Sequence, residues 1–312
     1  MLFKRNEMLS YCYLYSFIVV FLLIGKCCAQ SDWEWRNPYP QGNNLHCIIY
    51  NDDQFLVFGD NGTILSSPDG ITWTIASSGT NDNLLSATYG DNQFVAVGGG
   101  YRDYSYGTVL TSQDANMWTI NCSWSTTNFL GSLHLNSIVY GNNQFVSVGS
   151  GNNMQDDNWR GIILSSTEAV NWADQIPRTY DYFNSVTFGN NLFIAVGDNG
   201  TILASTDGTT WAEKASDVSW DLSSVLFSNN QFIAVGESGT VLTSSDGSSW
   251  TKHPAAVSIN LSAVAFGNNL FVTIGDSGTI LSSPDGSIWT KQPSGNIRKL
   301  SSIVYGKNLF VA

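Results

Sequence analysis

The chain has 312 residues and a formal net charge of −12, with 13% aromatic and 12% charged residues. That length can bury a large core, and a chain rich in Gly, Asn, Ser, Thr and aromatics, without long helix-forming runs, points to an all-β fold. Its acidic balance repels phosphate backbones and anionic lipid surfaces, so no nucleic acid partner is expected.

The N-terminal segment reads apart from the rest. Lys4 and Arg5 make a basic start, and residues 11–24 are an apolar run of signal-peptide length, short for a membrane span. Cys27-Cys28-Ala29 supplies small residues for cleavage, so residues 1–29 are expected to be a signal peptide removed near Ala29. The mature protein is then secreted, periplasmic or extracellular. Membrane attachment is expected only if this segment stays uncleaved. Lys26 occupies the place where a lipoprotein site wants a small residue. Beyond the segment only Cys47 and Cys122 remain, too few for a disulfide scaffold.

Residues 30–312 are repeats. Leu45, Leu84, Leu135, Phe183, Leu222, Leu261 and Leu300 open successive units at spacings of 39, 51, 48, 39, 39 and 39. A period of 39 accommodates four short strands with tight turns. The sixth unit shows them: strands over 261–266, 270–274 and 279–282, and a fourth from 288. Asn268-Asn269 supplies the positive φ of a hairpin, Asp276-Ser-Gly278 the next turn, and Pro284-Asp-Gly286 the third. Seven opening strands predict a seven-bladed β-propeller of four-stranded antiparallel blades. The last unit stops inside its second strand, as expected of a truncated chain. Trp35 lies 38 residues before Trp73, so residues 31–44 are the expected closing outer strand.

Ser283-Pro-Asp285-Gly-Ser-Ile-Trp289 resembles the Asp-box of sialidase-like (BNR-like) propellers, with Asp and Trp four apart and Gly directly after Asp. The unit also looks like the repeats of photosystem II assembly-factor propellers and of uncharacterised secreted bacterial proteins. The resemblance implies a structural role for Asp69, Trp73, Asp114, Trp118, Trp172, Asp207, Trp211, Asp246, Trp250, Asp285 and Trp289. Physical chemistry agrees: a short carboxylate accepts backbone N–H groups across a turn, and the indole packs between blades. Ser166-Thr-Glu168-Ala-Val-Asn-Trp172 has lost both Asp and Gly, a change easier for a turn than for a catalytic group.

Function is expected where the repeats break. Relative to residues 59–63, the second-to-third-strand connection is longer in unit two, around Tyr101, Arg102, Asp103, Tyr104 and Tyr106. It is longer again in unit three, around Asp156, Trp159 and Arg160, and a further insertion near Trp124 precedes Leu135. Alternating strand direction puts all three on one face. Aromatic and charged side chains on long loops of a rigid scaffold suit a carbohydrate or protein ligand. The expectation is a secreted, monomeric, non-enzymatic binding propeller without cofactor or metal. The alternatives are a sialidase-like glycoside hydrolase or lyase, for which Arg102, Arg160 and Arg178 would bind a substrate carboxylate, and an assembly-factor-like scaffold. His46, His134 and His253 lack metal-ligand spacing, and no catalytic residue is assigned. Asn61, Asn121, Asn199 and Asn260 open glycan-acceptor triplets, the Asn-Gly-Thr ones arising from the turn code itself.

Overall fold

The computed structural model describes residues 2–5, 33–36 and 42–312, except 52, 100–106, 122, 125–131, 153–157, 176–179, 255 and 296. Six antiparallel blades follow one another along the chain. Blade one is Leu45–Asn51, Gln54–Gly59, Ile64–Ser67 and Thr74–Ala76. Blade two is Asn83–Gly90, Gln93–Gly99, Gly107–Ser112 and Thr119–Ile120. Blade three is Leu133–Gly141, Gln144–Asn152, Trp159–Ser166 and Asn171–Asp174, with Ser123–Trp124 added in parallel to its outer edge. Blade four is Phe183–Gly189, Leu192–Gly197, Ile202–Ser205 and Ala212–Lys214. Blade five is Leu222–Ser228, Gln231–Gly236, Val241–Ser244 and Thr251–Lys252, and blade six is Leu261–Gly267, Leu270–Gly275, Ile280–Ser283 and Thr290–Gln292.

Among the described residues the expected seventh blade is not formed, which corrects the sequence reading from seven blades to six. Val304–Gly306 and Leu309–Val311 pair only with each other among the described residues, as a two-stranded ladder. Leu300 keeps the repeat period, but an opening residue marks a strand and not a blade. The ladder joins the inner strands of blades six and one, and the Ile48 amide donates to Ser302 Oγ at 3.2 Å. Leu2–Arg5 and Trp33–Arg36 form a second two-stranded antiparallel ladder beside Leu309–Val311. Among the described residues, no helix is long and apolar enough to cross a membrane.

The core is a series of seams between blades. Val95, Val97 and Val109 of blade two pack on Leu135, Ile138, Ile162, Leu164 and Trp172 of blade three. Ile163 of blade three instead joins Phe183, Val186 and Phe193 of blade four. Period-two alternation therefore sends even-numbered residues of Trp159–Ser166 toward blade two and odd-numbered ones toward blade four. Gly141 and Gly189 end inner strands because a ring of the next blade lies against them. A Cβ at Gly189 would fall 2.0 Å from the Phe227 ring, and one at Gly141 2.2 Å from that of Phe188.

Hairpin turns follow the sequence chemistry. Asn142-Asn143, Asn190-Asn191, Asn229-Asn230 and Asn268-Asn269 all have positive φ, the left-handed region that Asn tolerates. Each inner strand also carries a β-bulge just after its opening residue, for example between Leu45 and Cys47 and between Phe183 and Ser185. The extra residue is Leu85 in blade two and polar in the other five blades: His46, Asn136, Asn184, Ser223 and Ser262.

Candidate functional site at the mouth of the ring

The repeated aspartates are committed to turns. Asp285 Oδ1 accepts the amides of Ser287 and Ile288 at 2.8 and 3.2 Å, and the Ser283 hydroxyl at 3.1 Å. Asp69, Asp207 and Asp246 do the same in blades one, four and five, and Asp114 in blade two. These amide donors hold the Asp285 carboxyl down at about 2, and they hold Asp69, Asp114, Asp207 and Asp246 below the usual carboxylate range. The indoles of Trp118, Trp211, Trp250 and Trp289 donate back to the carbonyls of Ala115, Gly208, Gly247 and Gly286. Trp73 is buried in the seam between blade one and the ladder over residues 304–311, and Trp172 in the seam between blades two and three. In blade three Glu168 accepts the Asn171 side chain at 2.7 Å, and Ala169 takes the positive φ that Ala115 takes in blade two and Gly in blades one, four, five and six.

The opposite end of each blade, the mouth face, holds the second-to-third-strand turns and the linkers between blades. In blades one, four, five and six the turn is one 3-10 turn: Asp60–Gly62, Asp198–Gly200, Glu237–Gly239 and Asp276–Gly278. The residue just before each opening apolar position ties this turn to the next blade. Asn83 accepts the Asn61 amide at 3.1 Å, Asp221 the Asn199 amide at 2.8 Å and Asn260 the Ser238 amide at 3.1 Å. Lys299 Nζ lies 3.9 Å from Asp276.

Blades two and three carry longer connections at this point, and among the described residues the side chains at the corresponding positions make no tie to a 3-10 turn. Those positions hold His134 and Tyr182. Trp159, at the start of the third strand of blade three, sits between them. Its ring centroid lies 5.2 Å from His134 and 6.5 Å from Tyr182, both edge-on. Partial burial of His134 lowers its pKa, keeping the imidazole neutral near pH 7. Tyr180, Tyr182 and Trp220 are exposed on the linkers into blades four and five, at 78, 36 and 47%.

Carboxylates border this surface. The Tyr182 carbonyl accepts the Asp198 amide at 3.0 Å. Asp181 accepts Asn199 Nδ2 at 2.7 Å and the Thr201 hydroxyl at 2.9 Å, and Asp198 accepts Asn184 Nδ2 at 3.1 Å. Burial, with the like charges of Asp221 and Asp181, raises the Asp198 pKa above its ordinary value. Among the described residues no group of three or more His, Cys, Asp or Glu is arranged to hold a metal ion. A groove of about 750 Å³ lies elsewhere on blade one, between residues 61–63 and 75–82.

Of the residues expected to bind ligand, Trp159 lies in the aromatic cluster. Arg160 points the other way, toward blade two, in line with Ile162 and Leu164. Trp124 belongs to the edge strand that pairs with Asn171 and Trp172 on the outside of blade three. Tyr101, Arg102, Asp103, Tyr104, Tyr106 and Asp156, with Arg178 and Cys122, lie outside the described residues. Sequence reasoning does not single out His134, Tyr182 and Trp220 as ligand contacts. For the first two, the available signal is a column that reads Asn44, Asn83, His134, Tyr182, Asp221, Asn260, Lys299 and turns aromatic directly after each insertion.

Comparison with known proteins agrees on the architecture. Residues 166–258 match the model of the DUF6242 β-propeller domain. The uncharacterized protein YkuO of Bacillus subtilis (strain 168) is 35% identical over 66 residues, 21% of this chain and 22% of YkuO. The chain thus matches about a fifth of that relative's length. Among solved structures, YCF48 bound to D1 peptide aligns with a TM-score of 0.65 at 15% identity, over 87% of this chain and 92% of YCF48. The extracellular domain of the putative one component system BT4673 from B. thetaiotaomicron aligns with a TM-score of 0.62 at 10% identity, over 88% of this chain and 39% of that one. This chain is a β-propeller protein similar in fold to both.

Proposed function

We propose that this propeller is a non-enzymatic binding module that captures a protein ligand through the mouth-face surface around Trp159. The observation behind this reading is the aromatic set His134, Trp159 and Tyr182, in which His134 and Tyr182 stand where other blades place the residue tied to the 3-10 turn, with Tyr180 and Trp220 exposed on the linkers into blades four and five. Large, stiff side chains of this kind carry most binding energy at protein interfaces. Similarity to YCF48, whose solved complex holds a D1 peptide, supports a peptide ligand over a carbohydrate one. The turn geometry of Asp69 and its equivalents supports kinship with Asp-box propellers. On this reading residues 1–29 direct export, and the protein works outside the cytoplasm.

The test is capture on peptide and glycan arrays by the wild-type protein and by Trp159→Ala. Because Trp159 is half-exposed at a strand end, the variant should keep its unfolding midpoint. We expect it to lose at least about tenfold in affinity for the captured peptides, as for an aromatic anchor worth about 1.4 kcal/mol or more. Unchanged capture by the variant would overturn the site, and capture of glycans alone would overturn the ligand class.

A further inference from the structure

The aromatic surface is not isolated chemically. Trp159 packs edge-on against Tyr182, and Tyr182 follows Asp181 in the chain. Its carbonyl holds the Asp198 amide, while Asp221 follows Trp220 and holds the Asn199 amide. Rings and carboxylates therefore alternate along one continuous stretch of the mouth, over blades three, four and five. Asp198 accepts the Asn184 side-chain amide and Asp221 the Asn199 backbone amide, both neutral donors. His134 adds no opposing charge while its imidazole is neutral. Arg160, next to Trp159 in sequence, is directed toward blade two. The chain as a whole carries −12.

From the exposed aromatic surface and this charge pattern we propose that the occupant is a basic peptide segment, with a lysine or arginine side chain lying on Trp159 and Tyr182 and its cation directed at Asp181, Asp198 and Asp221. Aromatic faces attract cations through the ring quadrupole, and carboxylates on the same face add direct charge pairing. A cation at this place also offsets the like charges of Asp221 and Asp181 that act on Asp198. This inference rests on the mouth-face reading above and narrows it to a ligand of one sign of charge.

Other blades supply a clean variant. Asn43 stands in blade one where Asp181 stands in blade four, and it makes the equivalent contacts: Asn43 Nδ2 donates to Thr63 at 2.9 Å and Asn61 donates to Asn43 at 3.1 Å. Asn83 and Asn260 likewise do what Asp221 does. Asp181→Asn/Asp221→Asn therefore removes two charges while keeping hydrogen bonds that the ring already makes with Asn.

The experiment measures binding of the full chain to three peptides of equal length, one bearing several Arg and Lys, one with Glu in their place and one with Gln. The basic peptide should bind, weaken steeply between low and physiological salt, and lose about tenfold or more in affinity to the double variant at unchanged unfolding midpoint. Trp159→Ala should weaken it as well. Equal binding of the basic peptide to wild type and double variant, or tighter binding of the Glu or Gln peptide, would overturn the proposal. If a neutral or acidic ligand binds and is lost in Trp159→Ala, the mouth-face reading stands and the basic-peptide inference fails. If neither peptides nor glycans respond to Trp159→Ala, both fail.

Discussion

At the residue scale, the aspartate repeated through the chain works as a backbone acceptor. A short side chain places one oxygen within reach of two successive amides, which no longer acid could do without straining the turn. The consequence for pH follows from the Asp285 carboxyl, held at about 2 in the folded protein. An unfolded aspartate titrates near about 3.9, so the folded pKa is the depressed one. The stability that this group adds is complete above about pH 4 and is lost as pH falls through about 2. Asp285→Asn should therefore lower the urea midpoint at pH 7, with the gap to wild type closing between about pH 4 and pH 2. The effect is small because the carboxylate is exposed to solvent. A gap independent of pH would show that the charge is not what stabilises the turn.

At the element scale, each inner strand is defined by what its two ends must meet. Its mouth end carries a bulge, with a polar extra residue everywhere but blade two, and its other end frequently carries a glycine pressed by the neighbour's ring. Gly189 shows the constraint, since an added Cβ would meet both Phe227 Cγ and Cδ1 at 2.0 Å. Gly189→Ala should cost about 1–3 kcal/mol, the range for forcing extra volume into a packed site, read from urea unfolding. Blade five carries Ser228 at the same place, and Ser228→Gly, which adds no volume, is the control. A neutral Gly189→Ala would mean that the Phe227 ring swings aside freely. The turns were legible in sequence because Asn-Asn and Asp-x-Gly act within a few residues of themselves. The start of the fourth strand was less so: in blade six it begins at Thr290, after the tryptophan, because the indole folds back onto its own turn.

At the scale of the whole molecule, stability resides in the seams, so every blade depends on two neighbours. The ladder over residues 304–311 matters for that reason. Leu300, Ile303 and Phe310 pack on blade six, while Val311 packs on Ile48, Phe55 and Val57 of blade one. Deleting residues 300–312 should expose both faces and lower stability by several kcal/mol, at roughly 1.5–3 kcal/mol per buried apolar side chain. Thermal unfolding of the shortened chain reads this directly, and an unchanged transition would show that blades one and six are stable without the ladder between them.

By itself, the sequence determined the repeat, its four-stranded unit, the turn residues and the structural duty of the aspartates. All of these depend on hydrogen bonds and φ preferences acting over a few residues. The tertiary structure alone decided the blade count, because pairing of third and fourth strands is a contact between segments and not a property of the strand that opens a unit. It also brought together the side chains of the proposed site. Trp159 and Arg160 are neighbours in the chain, yet the alternation of one strand sends them to opposite seams. His134 and Tyr182, 48 residues apart, meet the same indole because the blades that carry them are adjacent.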